Sequence, residues 1–202
     1  QGTLSVWIRM DGGDGTQQKF YFSTGKALEA ARESTDTFRV EHENVGATNI
    51  LVITTTGTFT AGATWRHVLA SWDLSVPVAH LFINDVDEED GASVETNDTI
   101  DYTHPDHNIG GSGGSAELDG CMSEMYFNMA EFIDISIQSN RRKFIDAAGK
   151  PVSLGADGSS PTGTAPIIYL NGDSTNFETN QGTGGDFTVT GALTACSTSP
   201  TD

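Results

Sequence analysis

The chain has 202 residues, with 28 acidic and 10 basic side chains and a formal net charge of −18. That length suits one domain. The charge excludes nucleic acid as a partner of the bulk surface, because phosphate binding needs clustered cations. No apolar run approaches the ~20 residues of a membrane-spanning helix.

Residues 3–10 alternate, with Leu4, Val6, Ile8 and Met10 on one face of a predicted strand and Trp7 on the other. DGGDG at 11–15 is a tight polar turn, and 19–24 reads as the next strand. Residues 26–34 (KALEAARES) favour helix but are too few to stand alone, so they are expected to form a loop with at most a turn or two of helix. Two strands follow, FRVEHEN and NILVITTTG, around the turn 45–48. The runs 65–73 and 78–85 are apolar on both faces, which predicts inner strands covered on both sides. His42, His67 and His80 fall within strand patterns as half-buried residues. Asp85 to Gly91 reads as a solvated acidic hairpin. It has no closing Glu at Thr96 to make a calcium loop.

Another strand is expected over 118–128. At 134–148 the pattern changes: Asp134 can cap, and Ile137, Phe144, Ile145 and Ala148 form a helical stripe that Gly149 and Pro151 stop. Strands are predicted at 167–170 and 186–193, and STSPTD at the end is expected to fray. Many short strands separated by turns predict an all-β, two-sheet antiparallel jelly-roll sandwich with one short helix near 134–148. The chain reads as a single domain over 1–202. Its turn-rich extension, from about 150, returns its last strands to the sandwich. Cys121 and Cys196 match no zinc spacing. Two partly buried thiols are the plainer reading, and a single bridge in an oxidising compartment is the alternative.

The order of elements resembles a laminin-G-like, concanavalin-A-like sandwich over roughly residues 3–130. Trp65-Arg66-His67-Val68 and Trp72-Asp73 are followed by Leu81-Phe82-Ile83-Asn84-Asp85. Then come Ile109-Gly110-Gly111 and the strand from Gly120-Cys121 to Asn128. From Asn140 onward the words Gly-Lys-Pro-Val, Leu-Gly-x-Asp-Gly, Pro-Thr-Gly and Phe-Thr-Val-Thr-Gly look like the C-terminal halves of tailed-bacteriophage and prophage proteins. That similarity implies a virion component.

The resemblance also implies a fold that houses glucan-cleaving enzymes, which set acids at i, i+2 and i+4 on one strand. Glu117-Leu118-Asp119-Gly120-Cys121 comes nearest, but its third position is a thiol. No Gly-x-Ser-x-Gly is present, and a non-enzymatic protein is expected. Laminin-G-like domains often bind calcium at one rim, and by position Asn49 and Asp101 would be the ligands. An amide in place of an acid weakens such a site. Tyr102, His104, Asp106 and His107 form the densest functional-looking cluster, suited to a sugar or a transition metal. Arg141, Arg142 and Lys143 offer a docking patch for an acidic neighbour, including a second copy. Trp7, Trp65 and Trp72 read as packing residues before they read as a sugar platform. The expected function is a bacteriophage virion surface protein, in capsid decoration or a tail fibre, in contact with other virion proteins, host glycans and copies of itself. A secreted or cell-surface, calcium-dependent lectin-like module is the alternative.

Overall fold

A computed structural model describes residues 1–23, 28–91, 93–104, 106–111 and 116–202. Its strands are β1 (Gly2–Met10), β2 (Gln18–Ser23), β3 (Leu28–Arg32), β4 (Phe38–Glu43), β5 (Asn49–Thr54), β6 (Arg66–Asp73), β7 (Val78–Ile83), β8 (Val86–Asp87), β9 (Val94–Glu95), β10 (His107–Ile109), β11 (Gly120–Asn128) and β12 (Ile168–Leu170). They form two six-stranded sheets, ordered β12-β11-β1-β6-β7-β8 and β10-β2-β3-β4-β5-β9. Every pairing is antiparallel. The all-β jelly-roll sandwich is therefore the fold observed.

The alternation in β1 places Leu4, Val6, Ile8 and Met10 between the sheets, against residues such as Phe38 and Val40 from the second sheet. Burying each such side chain stabilises the fold by ~1.5–3 kcal/mol. On the outer face of the first sheet, Trp7 stacks on His67 at 4.8 Å. Ser5 Oγ lies 2.8 Å from His67 Nε2. A second apolar cluster covers this outer face: Leu69, Phe82, Tyr126 and Tyr169 from the strands meet Ile133 and Phe144 from the connection after β11. β6 and β7 are thus covered on both sides, as their sequence predicts.

Several expectations are corrected. Residues 28–32 form a strand with all five residues buried. Strong helix formers take the extended form there because β2 and β4 offer ladders on both sides, and tertiary pairing overrides propensity. The helix expected over 134–148 shrinks to α1 (Gln138–Arg141). Asp134 accepts from Ser136 N in a local turn, and Ile145 bridges to Pro151 across a second turn. The stripe therefore packs as irregular chain. His42 and His67 are fully buried, beyond the half-burial expected of them. Residues 186–193 form no strand. Cys121 and Cys196 are bridged, with Cα atoms 6.2 Å apart, which overturns the free-thiol reading. The last residues are anchored: Thr198 Oγ1 accepts from Arg9 Nη1 at 2.6 Å and from Trp65 Nε1 at 3.0 Å.

The acidic hairpin is present, but its first acid is not freely solvated. Asn84 and Asp85, both at positive φ (49° and 68°), make the tight turn between β7 and β8. Asp85 accepts from Arg141 Nε at 2.5 Å and from Arg142 Nη2 at 2.6 Å. Arg141 also donates to the carbonyls of Ile135 and Ser136 and lies 4.3 Å from the Phe82 ring centre. Asp85→Ala leaves a buried guanidinium without its counter-ion. It is expected to cost about 3 kcal/mol, read by urea unfolding. A loss under about 0.5 kcal/mol would show that the two carbonyls suffice.

Candidate functional site

Register places the turn 44–48, the β6–β7 turn and the connection 96–106 at one end of the sandwich. Asn44 bridges to Ile100, Asp101 N donates to Glu43 O at 2.9 Å, and Tyr102 Oη lies 2.9 Å from Trp72 Nε1. His107 opens β10 opposite Ser23, at the same end. Asn49, Asp101, Tyr102 and His107 therefore share one rim, whereas Arg141 and Arg142 lie by the β7–β8 turn at the other end of β7.

They do not converge on one ligand. The Tyr102 hydroxyl accepts from Trp72 and donates to Gln1 O at 2.8 Å, and burial raises its pKa. It plugs the end of the core, whereas a stacking platform needs an open ring face. Asp101 Oδ1 accepts from Thr103 Oγ1 at 2.6 Å and Thr103 N at 3.1 Å, and these bonds hold its carboxyl below the usual range. His107 Nδ1 lies 2.6 Å from Tyr21 Oη, and burial lowers the imidazole pKa. His104 is half-buried with Nδ1 unpartnered, while Asp106 is exposed. Pro105, within the same cluster, lies outside the described residues. Beside Tyr102 runs a groove of about 480 Å³ lined by Asp73, Ser75, Asn97, Asp98 and Thr99.

The calcium donor set does not fit. With its amide oriented to satisfy its neighbours, Asn49 donates to Glu43 Oε1 at 3.1 Å and Glu41 Oε1 at 3.2 Å. Asp101 is occupied by Thr103. Among the described residues no group of three or more His, Cys, Asp or Glu suits a metal ion. The basic triplet is engaged internally: Arg141 and Arg142 hold Asp85, and Lys143 Nζ donates to Pro161 O at 2.9 Å. In the acid run after Glu117, Cys121 is closed by its bridge to Cys196.

A second surface was hidden from the sequence reading. The connection after β11 covers the first sheet, and the outer face of the second sheet carries a network of planar polar groups. Glu29 and Glu41 sit directly opposite each other on β3 and β4. Like charges so placed destabilise a sheet unless they are compensated. Lys19 Nζ lies 2.6 Å from Glu29 Oε2, and Arg39 pairs with Glu41 and reaches Glu33 at 3.6 Å. Gln17 Nε2 donates to Glu29 Oε1 at 2.9 Å and Glu33 Oε1 at 3.1 Å. Lys19 Nζ rests 3.9 Å from the Phe22 ring centre. Arg39-x-Glu41-x-Glu43 alternates on one strand face and was available as a signal. Glu29 lay inside the segment read as a loop. The result is an ordered row of charges in which Lys19, Glu29 and Glu41 are buried while Gln17, Phe22, Glu33 and Arg39 keep partial exposure, and carboxylates and guanidinium groups of this kind bind sugar hydroxyls by charge-assisted hydrogen bonds.

Residues 1–128 match the family described as the concanavalin A-like lectin/glucanases superfamily. No curated protein matches the chain. Among solved structures, a Bacteroides ovatus protein proposed to bind carbohydrate aligns over 84% of this chain at 17% identity with a TM-score of 0.58. The chain spans 44% of that protein. The CBM40 domain of a Ruminococcus gnavus IT-sialidase, bound to α2,3-sialyllactose, aligns over 67% of this chain and 79% of its own at 13% identity, with a TM-score of 0.50. At these identities the likeness is one of fold.

Proposed function

Because the chain belongs to the concanavalin A-like lectin/glucanases superfamily, we propose that it is a carbohydrate-binding domain that performs no catalysis and holds glycan against the outer face of its second sheet. The observation that carries this reading is the Lys19–Glu29–Glu41–Arg39 row on the outer face of the second sheet, in which Arg39 stays partly exposed at the edge of buried Lys19, Glu29 and Glu41. Two structures of similar fold support it, one from a protein proposed to bind carbohydrate and one with sialyllactose bound. Glycosidic cleavage needs one carboxyl to donate a proton and a second to attack the sugar or activate water. Here Glu29 and Glu41 are each buried and engaged by a cation, which leaves neither carboxylate placed for such a step. The tail's resemblance after Asn140 supports a setting on a virion surface, where such a domain would contact host glycans. Recovery of the protein from lysates but not from purified particles would remove that setting and leave the binding role intact.

A glycan array tests the role. The native protein is expected to retain a defined set of glycans, and EDTA is expected to leave that binding unchanged because the described residues hold no group of three or more carboxylates, imidazoles or thiols suited to a metal ion. Arg39→Ala is expected to weaken binding by about 10-fold or more, the worth of a charge-assisted hydrogen bond. The absence of any retained glycan would overturn the function. Binding that survives Arg39→Ala and Glu41→Gln but is lost on Asp98→Ala would move the site to the rim groove.

A further inference from the structure

The stretch after Phe187 is an anomaly in this fold. Residues 188–195, TVTGALTA, alternate as a strand should, yet they lie exposed outside both sheets. Among the described residues no hydrogen bond reaches any of them. Both ends are fixed. Phe187 packs against the core, and its N–H donates to Glu178 O at 2.9 Å, while Cys196 is bridged to Cys121. The molecule guards its other edges. The outermost strands β12, β8, β10 and β9 have three, two, three and two residues, the brevity that discourages edge-to-edge pairing. The long open run is the exception.

We infer that residues 187–195 form an edge strand that pairs antiparallel with the same segment of a second copy of this chain. The sequence is self-complementary about Gly191. Antiparallel pairing centred there sets Val189 opposite Leu193, Thr188 opposite Thr194 and Thr190 opposite Ala192. The first pair supplies apolar contact and the second a hydroxyl pair, both of which stabilise ladders. A two-fold interface requires that self-complementarity. Charge points to the same partner. Two copies at −18 each repel, but residues 187–200 contain no charged side chain, so like chains can approach there. Val189 and Leu193, 38% and 45% exposed, are among the few large apolar side chains left in solvent. In the single chain Gly191 sits at φ +93°, a bend that pairing would straighten.

Sedimentation from about 1 µM to about 1 mM, with hydrogen exchange at both ends of that range, tests the inference. One short strand pair makes a small interface, so a concentration-dependent dimer is expected to form at about 10–100 µM. Amides within 188–194 are expected to exchange freely when dilute and to be protected when concentrated. The V189K/L193K double variant sets lysine opposite lysine and is expected to abolish the dimer while keeping the native melting temperature. Gly191→Ala meets no neighbour within 4 Å. It disfavours the bend and is expected to tighten the dimer by about threefold. A chain that stays monomeric across the range would overturn the pairing, as would a dimer unaffected by V189K/L193K or one that forms without protecting 188–194.

Discussion

Lowering the pH from 7 to 5 is expected to remove about 4 kcal/mol of stability through His42 and His67, about 2 kcal/mol from each. Both imidazoles are fully buried, and burial pushes each pKa down from the ordinary histidine value of about 6.5 to about 3. His42 lies 4.5 Å from Trp72 and 6.3 Å from Phe127, ring centre to ring centre, with neither nitrogen hydrogen-bonded. The unfolded chain takes up these protons below about 6.5, whereas the folded chain resists until about 3. The stability is therefore present above the unfolded value and is lost as the pH falls toward the folded one. His107, also lowered by burial, adds in the same direction. Glu95 and Glu124, whose carboxyls burial holds high, oppose it. Urea melts from pH 8 to pH 4 should show a slope approaching two protons, and His42→Phe should remove one of them. A slope below one proton in the native protein would sink this account.

Loss of the Cys121–Cys196 bridge carries an effect of similar size. The bridge spans 75 residues, and closing a loop of that length lowers the entropy of the unfolded chain by the equivalent of about 4 kcal/mol. The Cys121→Ser/Cys196→Ser double variant is expected to melt roughly 10 °C lower. The noncovalent contacts at Thr198 and between Lys150 and Asp202 then hold the tail. A shift of under about 2 °C would mean that those anchors suffice and that the bridge constrains little.

The parts of the fold legible in the sequence were those where local pattern and final environment agree. Leu4, Val6, Ile8 and Met10 alternate because one face meets the second sheet, and the turn at 45–48 is where the chain reverses between β4 and β5. The order of elements across 65–128 carried the family. The failures have a common physical cause, since each segment takes its form from a distant partner. Residues 28–32 are extended because strands flank them on both sides. The stripe at Phe144 and Ile145 packs on the far face of a sheet and not on its own helix. Residues 186–193 have strand character and no ladder. Cys121 and Cys196 gave no sign of their proximity because the intervening residues had to be folded first. The candidate residues followed the same rule: Asp101, Tyr102 and His107 do lie together at one end of the sandwich, but their hydrogen bonds to Thr103, Gln1 and Tyr21 could not be read locally. The Glu29–Glu41 opposition depended on a strand that had been taken for a loop.

The position of β1 governs how this chain reaches its native state. β1 is central in its sheet, with Thr3 paired to Ser71 on one side and to Asn128 on the other. One flank can zip once residue 73 is made, but the other stays open until the chain has reached residue 128. Contacts so distant along the chain make for slow closure. Throughout that interval β1 presents a nine-residue unpaired edge whose one face carries Leu4, Val6, Ile8 and Met10, the kind of edge that seeds aggregation. The order of assembly follows: the hairpins of the second sheet form early from near neighbours, and the first sheet closes late, around a strand that has waited for its partner.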